Sequence, residues 1–337
     1  MRTLPCVVAL LVLGAYAVLL PAGRWQADEY LVSWQVAQQG WAVFLDRVQG
    51  WSPRPIAEFV TFLYFVLANA LNRPFMGYYL AFLWVVSLGL VIAAGWAGRV
   101  RQPVRLAVVL LALTLLLAKP GEMFYWPMGA SAYLPCWAGL AAASVLHRGR
   151  AERNGVALWD VGLHGGALAV GLLVAAFSAE VGALTVLVYG LLVAAAAWRE
   201  RSLLSGLVPV VLPALGAVAV CLTVLGHRGQ AQEVFDPASG LAGHWLGSVA
   251  ASVPRFAREA LGVSGMPLLV GLAIKTTLLV SLPVEAAGTV RGRRLGALWA
   301  VALLVGAFGS IVMAYHQFGV PCCERHATLR QAMILLA

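Results

Sequence analysis

Asp28 and Glu29 stand side by side in "GRWQADEYLVSWQVAQQGWAVFLDRVQGWSPRP", the first polar stretch of a chain in which only 11% of residues are charged. Two carboxyl groups this close, held near hydrocarbon, repel one another. Either one pKa rises, or a cation or a substrate hydroxyl comes between them. One carboxylate can then take a proton from an attacking hydroxyl while its neighbour orients it. Surface acids at the start of a helix are the plainer reading of the same pair.

A second set lies in "KPGEMFYWPMGASAYLPCW", with Glu122, Tyr125, Trp126 and Tyr133. Pro120, Pro127 and Pro135 are expected to hold this backbone out of regular helix. Aromatic faces stack on the C–H faces of a pyranose while a carboxylate accepts from its hydroxyls, so the set suits a sugar. An interfacial aromatic belt would use the same residues. "FSAEVGAL" places Glu180 between two apolar runs with almost no loop, as a functional carboxylate or as a helix cap.

"HQFGVPCCERHATLRQ" supplies Arg325 and Arg330, and "SPRP" supplies Arg54. Their guanidinium forks fit a phosphate at headgroup level, whether a substrate's or an ordinary lipid's. Lys275 falls in the middle of "MPLLVGLAIKTTLLVSLPVE", where a cation is a candidate coupling site for transport unless it snorkels to the surface. Cys322 and Cys323 are either a strained vicinal disulfide or two thiols, and the five cysteines show no metal-ligand spacing. His164 reads as a helix-packing histidine. No Walker loop, dinucleotide fingerprint, HExxH or GxSxG occurs.

Only a membrane can position these residues. The 337 residues are 61% hydrophobic, with a mean hydropathy of +0.86. The expected fold is all-α, one polytopic helical bundle over residues 1–337. Spans are predicted near 4–22, 76–97, 105–118, 132–146, 158–177, 181–198, 203–225, 265–284 and 295–314, with a tenth beginning near 327. The first is expected to be a retained helix rather than a cleaved signal peptide. The chain stops a few residues into the last apolar run, the pattern of a truncated or unusually short protein.

Charge sets the sidedness. With the short apolar segment 56–71 and its Glu58 lying at the surface, "RVRQPVR", "HRGRAER", "RER", "RGRR" and Arg2 share one side with Glu152, Asp160, Glu200 and Glu285. That side is strongly positive and the other sums to zero. The positive-inside rule makes the arginine side cytoplasmic, which accounts for the net charge of +9 without nucleic acid. Tyr30, Trp34, Trp41, Leu45 and Val48 share a helical face, as do Trp245, Val249, Val253, Phe256 and Ala260, so the first and last long outer loops in the chain are expected to carry interfacial helices. In the second of these, Arg255, Arg258 and Glu259 are expected on the wet side. Asp28, Glu29, Glu58, Glu122, Glu180, Glu233, Asp236, Arg325 and His326 all fall outside, and a protein that collects them there works on that face.

The Asp-Glu pair after the first span, the Trp-rich helix, "WSPRP", "FYWPMGASAY", "SAEVG" and the Pro-then-Arg motif together resemble the GT-C superfamily of membrane glycosyltransferases. Poorly characterised bacterial members are the most similar. The resemblance implies a bundle with juxtamembrane helices in the first outer loop and a polyprenyl-phosphate-linked sugar as donor. It implies that Asp28 is the catalytic acid of the first loop, with Glu29 its neighbour, and that Glu122 holds the second acidic position. It further implies that Arg325 meets the donor phosphate, and that Tyr125, Trp126 and Tyr133 face the sugar. Relatives with two acids in the second loop suggest a divalent cation, for which Glu122 alone is a thin ligand set.

The function expected is thus transfer of a sugar from a polyprenyl-phosphate donor to a lipid, glycan or protein acceptor on the outer face of a bacterial inner membrane. Asp28 would activate the acceptor. Arg325, with Arg54 or Arg330, would stabilise the departing phosphate, and Glu122 and Glu180 would orient donor hydroxyls or a divalent cation. The alternative is a transporter or lipid-linked-sugar flippase using Lys275, whose essential charges should lie near the midplane.

Overall fold

The computed structural model describes residues 4–25, 27–116, 120–150, 158–228, 239–260, 276, 290–321 and 324–337. Lys275, Cys322, Cys323, Glu233, Asp236 and nearly all of the expected span 265–284 lie outside them. Every regular element among the described residues is helical. In chain order these are α1 (Leu4–Ala17), α2 (Ala27–Gln39), α3 (Trp41–Asp46), α4 (Pro55–Ala70), α5 (Met76–Ala97), α6 (Pro103–Leu115) and α7 (Gly121–Phe124). They continue as α8 (Pro127–Arg150), α9 (Leu158–Ser178), α10 (Glu180–Arg199), α11 (Leu204–Arg228), α12 (Trp245–Ala260), α13 (Val290–Phe318) and α14 (Glu324–Leu336).

Among the described residues, six helices are long and apolar enough to cross a membrane: α1 with the turn after it, α5, α8, α10, α11 and α13. This is the make-up of a multi-pass membrane protein, because in hydrocarbon a helix is the one single-segment structure that satisfies its own backbone. The apolar helices α4 and α6 are shorter, as is the apolar stretch Gly162–Ser178 within α9.

The apolar stretch of α8 is 94% buried against 11% for α1, which makes α8 the core and α1 a peripheral helix. Small residues let neighbours approach α8 closely. A Cβ on Gly139 would lie 2.4 Å from the carbonyl oxygen of Gly171 in α9. The expectation that prolines would break this segment is corrected: Pro127 is the first residue of α8, where a missing N–H costs nothing, and the helix runs on through Pro135. Breaking a helix within a packed apolar bundle would strand several backbone groups, a larger cost than the single hydrogen bond that Pro135 forfeits.

Helix directions collect the polar residues at two ends. Helices α5 and α8 run the same way: Tyr79 meets Ser131 near their starts, and Gly98, just after α5, faces Leu146 near the end of α8. Helix α9 returns, α10 descends again, and α13 ascends beside α10, with Arg294 near its start paired to Glu200 just past the end of α10. One end of the bundle therefore carries Arg99, Arg101, Arg148, Arg199, Arg201 and Arg294. The opposite end carries Glu122, Glu180 and Arg325.

Both ends of α4 are tied to that second end. At its start Arg54 reaches Glu180. Further along, the Tyr64 hydroxyl donates to the carbonyl of Pro74, just before α5, at 2.6 Å and accepts from Trp25, just after α1, at 2.8 Å. The first expected interfacial helix is divided in two: Gly40, at φ +57°, separates α2 from α3. Tyr30, Trp34, Trp41 and Leu45 all remain exposed along this pair.

Candidate functional site

Local chain chemistry aims the side chains at the polar end. A single extended residue, Ala179 (φ −153°, ψ 149°), separates α9 from α10 and puts Glu180 in the first turn of α10. Pro55 keeps Arg54 out of helical backbone (φ −122°, ψ 70°) and opens α4 behind it. Arg54 then reaches across the bundle, its Nε lying 3.7 Å from Glu180 Oε1 and 2.5 Å from Ser52 Oγ. Its Nη2 is 3.5 Å from Glu58 Oε1. Arg47 Nε approaches the other oxygen of the nearly buried Glu58 at 2.6 Å. Arg47, Glu58, Arg54 and Glu180 thus form a relay of alternating charge. Burial works against the charge on Arg54, but Glu180, Tyr133 and Glu58 outweigh it and hold its pKa above the usual value.

Arg325, in the first turn of α14, supplies the other half. Its Nη1 donates to Glu122 Oε2 at 3.1 Å, and its backbone N–H points at the same oxygen at 3.3 Å. Its guanidinium carbon sits 4.7 Å from the centroid of the Trp126 ring and 5.9 Å from that of Tyr133, a cation over two aromatic faces. The Tyr133 hydroxyl pairs with His326 Nε2. Burial, followed by Arg325, Arg330 and Arg54, pushes the His326 pKa down to about 3, so the ring is neutral. Beside this cluster Trp126 Nε1 and Ser178 Oγ are buried without a hydrogen-bond partner among the described residues.

Arg54, Glu122, Trp126, Tyr133, Glu180 and Arg325 therefore come together. The others are placed elsewhere. The Tyr125 hydroxyl donates to the carbonyl of Tyr16 at 2.7 Å and braces α1, and burial raises its pKa. Arg330 is turned into the core: its Nε and Nη2 each lie 2.8 Å from Glu259. Glu259, expected on a wet helix face, is only 6% exposed. It reaches the core because α12 lays its other side, with Leu246, Val249 and Val253 exposed, away from the bundle.

The two adjacent acids separate. Glu29 is wholly buried, its Oε1 3.5 Å from the backbone nitrogen of Met128 at the start of α8, where the helix dipole favours a carboxylate. Asp28 is exposed and opens into a cavity of about 420 Å³ shared with Asp46, Arg47 and Met128.

Three participants were not singled out as site residues from sequence: Arg47, Glu58 and His326. Glu58 had a signal, an acid one helical turn after Arg54 inside an apolar run. His326 had only its position beside Arg325. As for a divalent cation, no group of three or more His, Cys, Asp or Glu gathers into a possible ion site among the described residues. No step is assigned to a metal. The chain matches no family model, no curated protein and no solved structure.

Proposed function

We propose that the chain is a membrane glycosyltransferase of the GT-C type, transferring a sugar from a polyprenyl-phosphate donor on the outer face of a bacterial inner membrane. The observation that carries this reading is Arg325, fixed by Glu122 and laid over Trp126 and Tyr133 beside Arg54 and Glu180. A fixed guanidinium suits a phosphodiester. Ring faces with two carboxylates suit a pyranose. The arginine end would be cytoplasmic, the ten-span count needs the segment 265–284 to cross, and α2, α3 and α4 would lie at the outer interface.

In the reaction the acceptor hydroxyl gives its proton to the Asp28 carboxylate as its oxygen bonds to the anomeric carbon. The bond from that carbon to the phosphate oxygen breaks on the opposite face, and its electron pair leaves with the polyprenyl phosphate, so the anomeric configuration inverts. Arg325 and Arg54 meet the charge that develops on the phosphate. Glu122 and Glu180 hold the sugar hydroxyls.

The test is to add polyprenyl phosphate to the purified protein in lipid nanodiscs and locate the phosphate by difference density. Density against Arg325 and Trp126 supports the reading. Density at Lys275 instead would favour transport.

A further inference from the structure

The cavity beside α2 meets the arginine cluster at Arg47, and its wall chemistry is distinctive. Asp28, Gln35 and Gln39 recur at helical spacing along one face of α2, and Asp46 and Arg47 face them from the end of α3. Leu31, Val32, Val43 and Met128 form the apolar part of the lining, Val32 and Val43 being buried. At about 420 Å³ the space lies within the usual small-molecule range of about 300–1,000 Å³.

Hydrogen-bond bookkeeping narrows the occupant. An ionised carboxylate only accepts, a guanidinium only donates, and a carboxamide does both. The Arg47 charge is already matched by Glu58, whose Oε2 lies 2.6 Å away, so Asp28 and Asp46 set the sign here and an anion is repelled. A molecule bearing several hydroxyls, each a donor and an acceptor, can pair with every one of these groups. Arg47 also forms the wall shared with the relay, since its Nε lies 2.6 Å from Glu58 and Glu58 contacts Arg54.

We infer that this cavity binds the acceptor as a polyhydroxylated headgroup without anionic charge, a sugar or polyol, held by Gln35, Gln39 and Asp46 with its reacting hydroxyl at Asp28. This deepens the glycosyltransferase reading and rests on it for the word acceptor.

The experiment measures binding of methyl α-glucopyranoside and myo-inositol to the full chain by saturation-transfer NMR, with glucose 6-phosphate as the anionic control. Polyprenyl phosphate binding is followed in parallel. The neutral probes are expected to bind, and glucose 6-phosphate to bind at least about tenfold more weakly. Gln35→Leu and Gln39→Leu should each weaken the neutral probes about fivefold or more while leaving the melting temperature and polyprenyl phosphate binding unchanged. Equal binding of glucose 6-phosphate, or indifference to both Gln variants, overturns the assignment. Polyol binding that behaves as stated, with no polyprenyl phosphate bound in wild type, overturns the transferase reading and leaves the cavity a polyol site.

Discussion

Glu259 and Arg330 form a two-bond ion pair inside the protein, each bond 2.8 Å long, with Arg330 only 1% exposed. The pair ties α12 to α14, 71 residues further along the chain, and Arg255 adds a third bond to Glu259 at 2.8 Å. Removing one member leaves a buried charge without its counterion. Glu259→Ala should therefore cost about 3–5 kcal/mol, whereas the double variant Glu259→Leu, Arg330→Met should lie much closer to wild type. Chemical unfolding in detergent reads the difference; equal losses in both variants would show that the pair itself stabilises the fold.

Asp28 and Glu29 are neighbours in sequence with opposite surroundings, so their variants should fail differently. Asp28→Asn should leave stability within about 0.5 kcal/mol and lower sugar transfer by about 10²-fold or more. Glu29→Ala removes a wholly buried carboxylate from the start of α8. It should destabilise by about 1–3 kcal/mol. Thermal melts and a transfer assay on the same preparations separate the two, and a stable, active Asp28→Asn enzyme would remove Asp28 from the mechanism.

What was legible beforehand follows from how far each signal reaches along the chain. Apolar run length and the clustering of Arg99, Arg101, Arg148, Arg199, Arg201 and Arg294 placed most helices and both ends of the bundle, because these are local or summed properties. Glu180 and Arg54 were visible as polar residues forced beside apolar runs. Their meeting was not visible, since it depends on α4 lying against α8 and α9. The burial of Glu259 escaped for the same reason: on α12 alone it sits beside Arg255 and Arg258, and only the packing of α14 makes its side of the helix an interior one. Helix α8 continuing through Pro135 is likewise a tertiary outcome that local propensity opposes.

Arg325 makes planar contacts that an ammonium cannot copy. Its guanidinium bonds Glu122 and lies over Trp126. Arg325→Lys should weaken polyprenyl phosphate binding nearly as much as Arg325→Ala, by about tenfold or more. Full rescue by lysine, measured by thermophoresis with labelled lipid, would reduce the residue to a point charge.

His326 links the site to pH. Its pKa in the folded protein is about 3, below the ordinary value of 6.5. Between these values the unfolded chain binds a proton that the folded one refuses, so the contribution of His326 is fully present above about pH 6.5 and is lost as pH falls toward 3. Wild type should lose stability over that window more steeply than His326→Gln, in which the other acids titrate as before. Parallel melting curves against pH would refute the neutral imidazole.

Glu180 is held in place by the closeness of α9 and α10. A Cβ on Gly182 would lie 2.1 Å from the carbonyl oxygen of Ala175 and 2.8 Å from Cys136 Sγ, so the backbone must move to admit one. Gly162, by contrast, has nothing within 4 Å of the same position. Gly182→Ala should cost about 1–3 kcal/mol through overpacking. Because the displaced turn carries Glu180, which faces Arg54 at 3.7 Å, it should also weaken polyprenyl phosphate binding. Gly162→Ala should be neutral or stabilising by up to about 1 kcal/mol, since alanine is the better helix former. Melting temperature and lipid affinity measured on both variants test the coupling: a destabilised Gly182→Ala protein with wild-type affinity would show that the site does not depend on this helix contact.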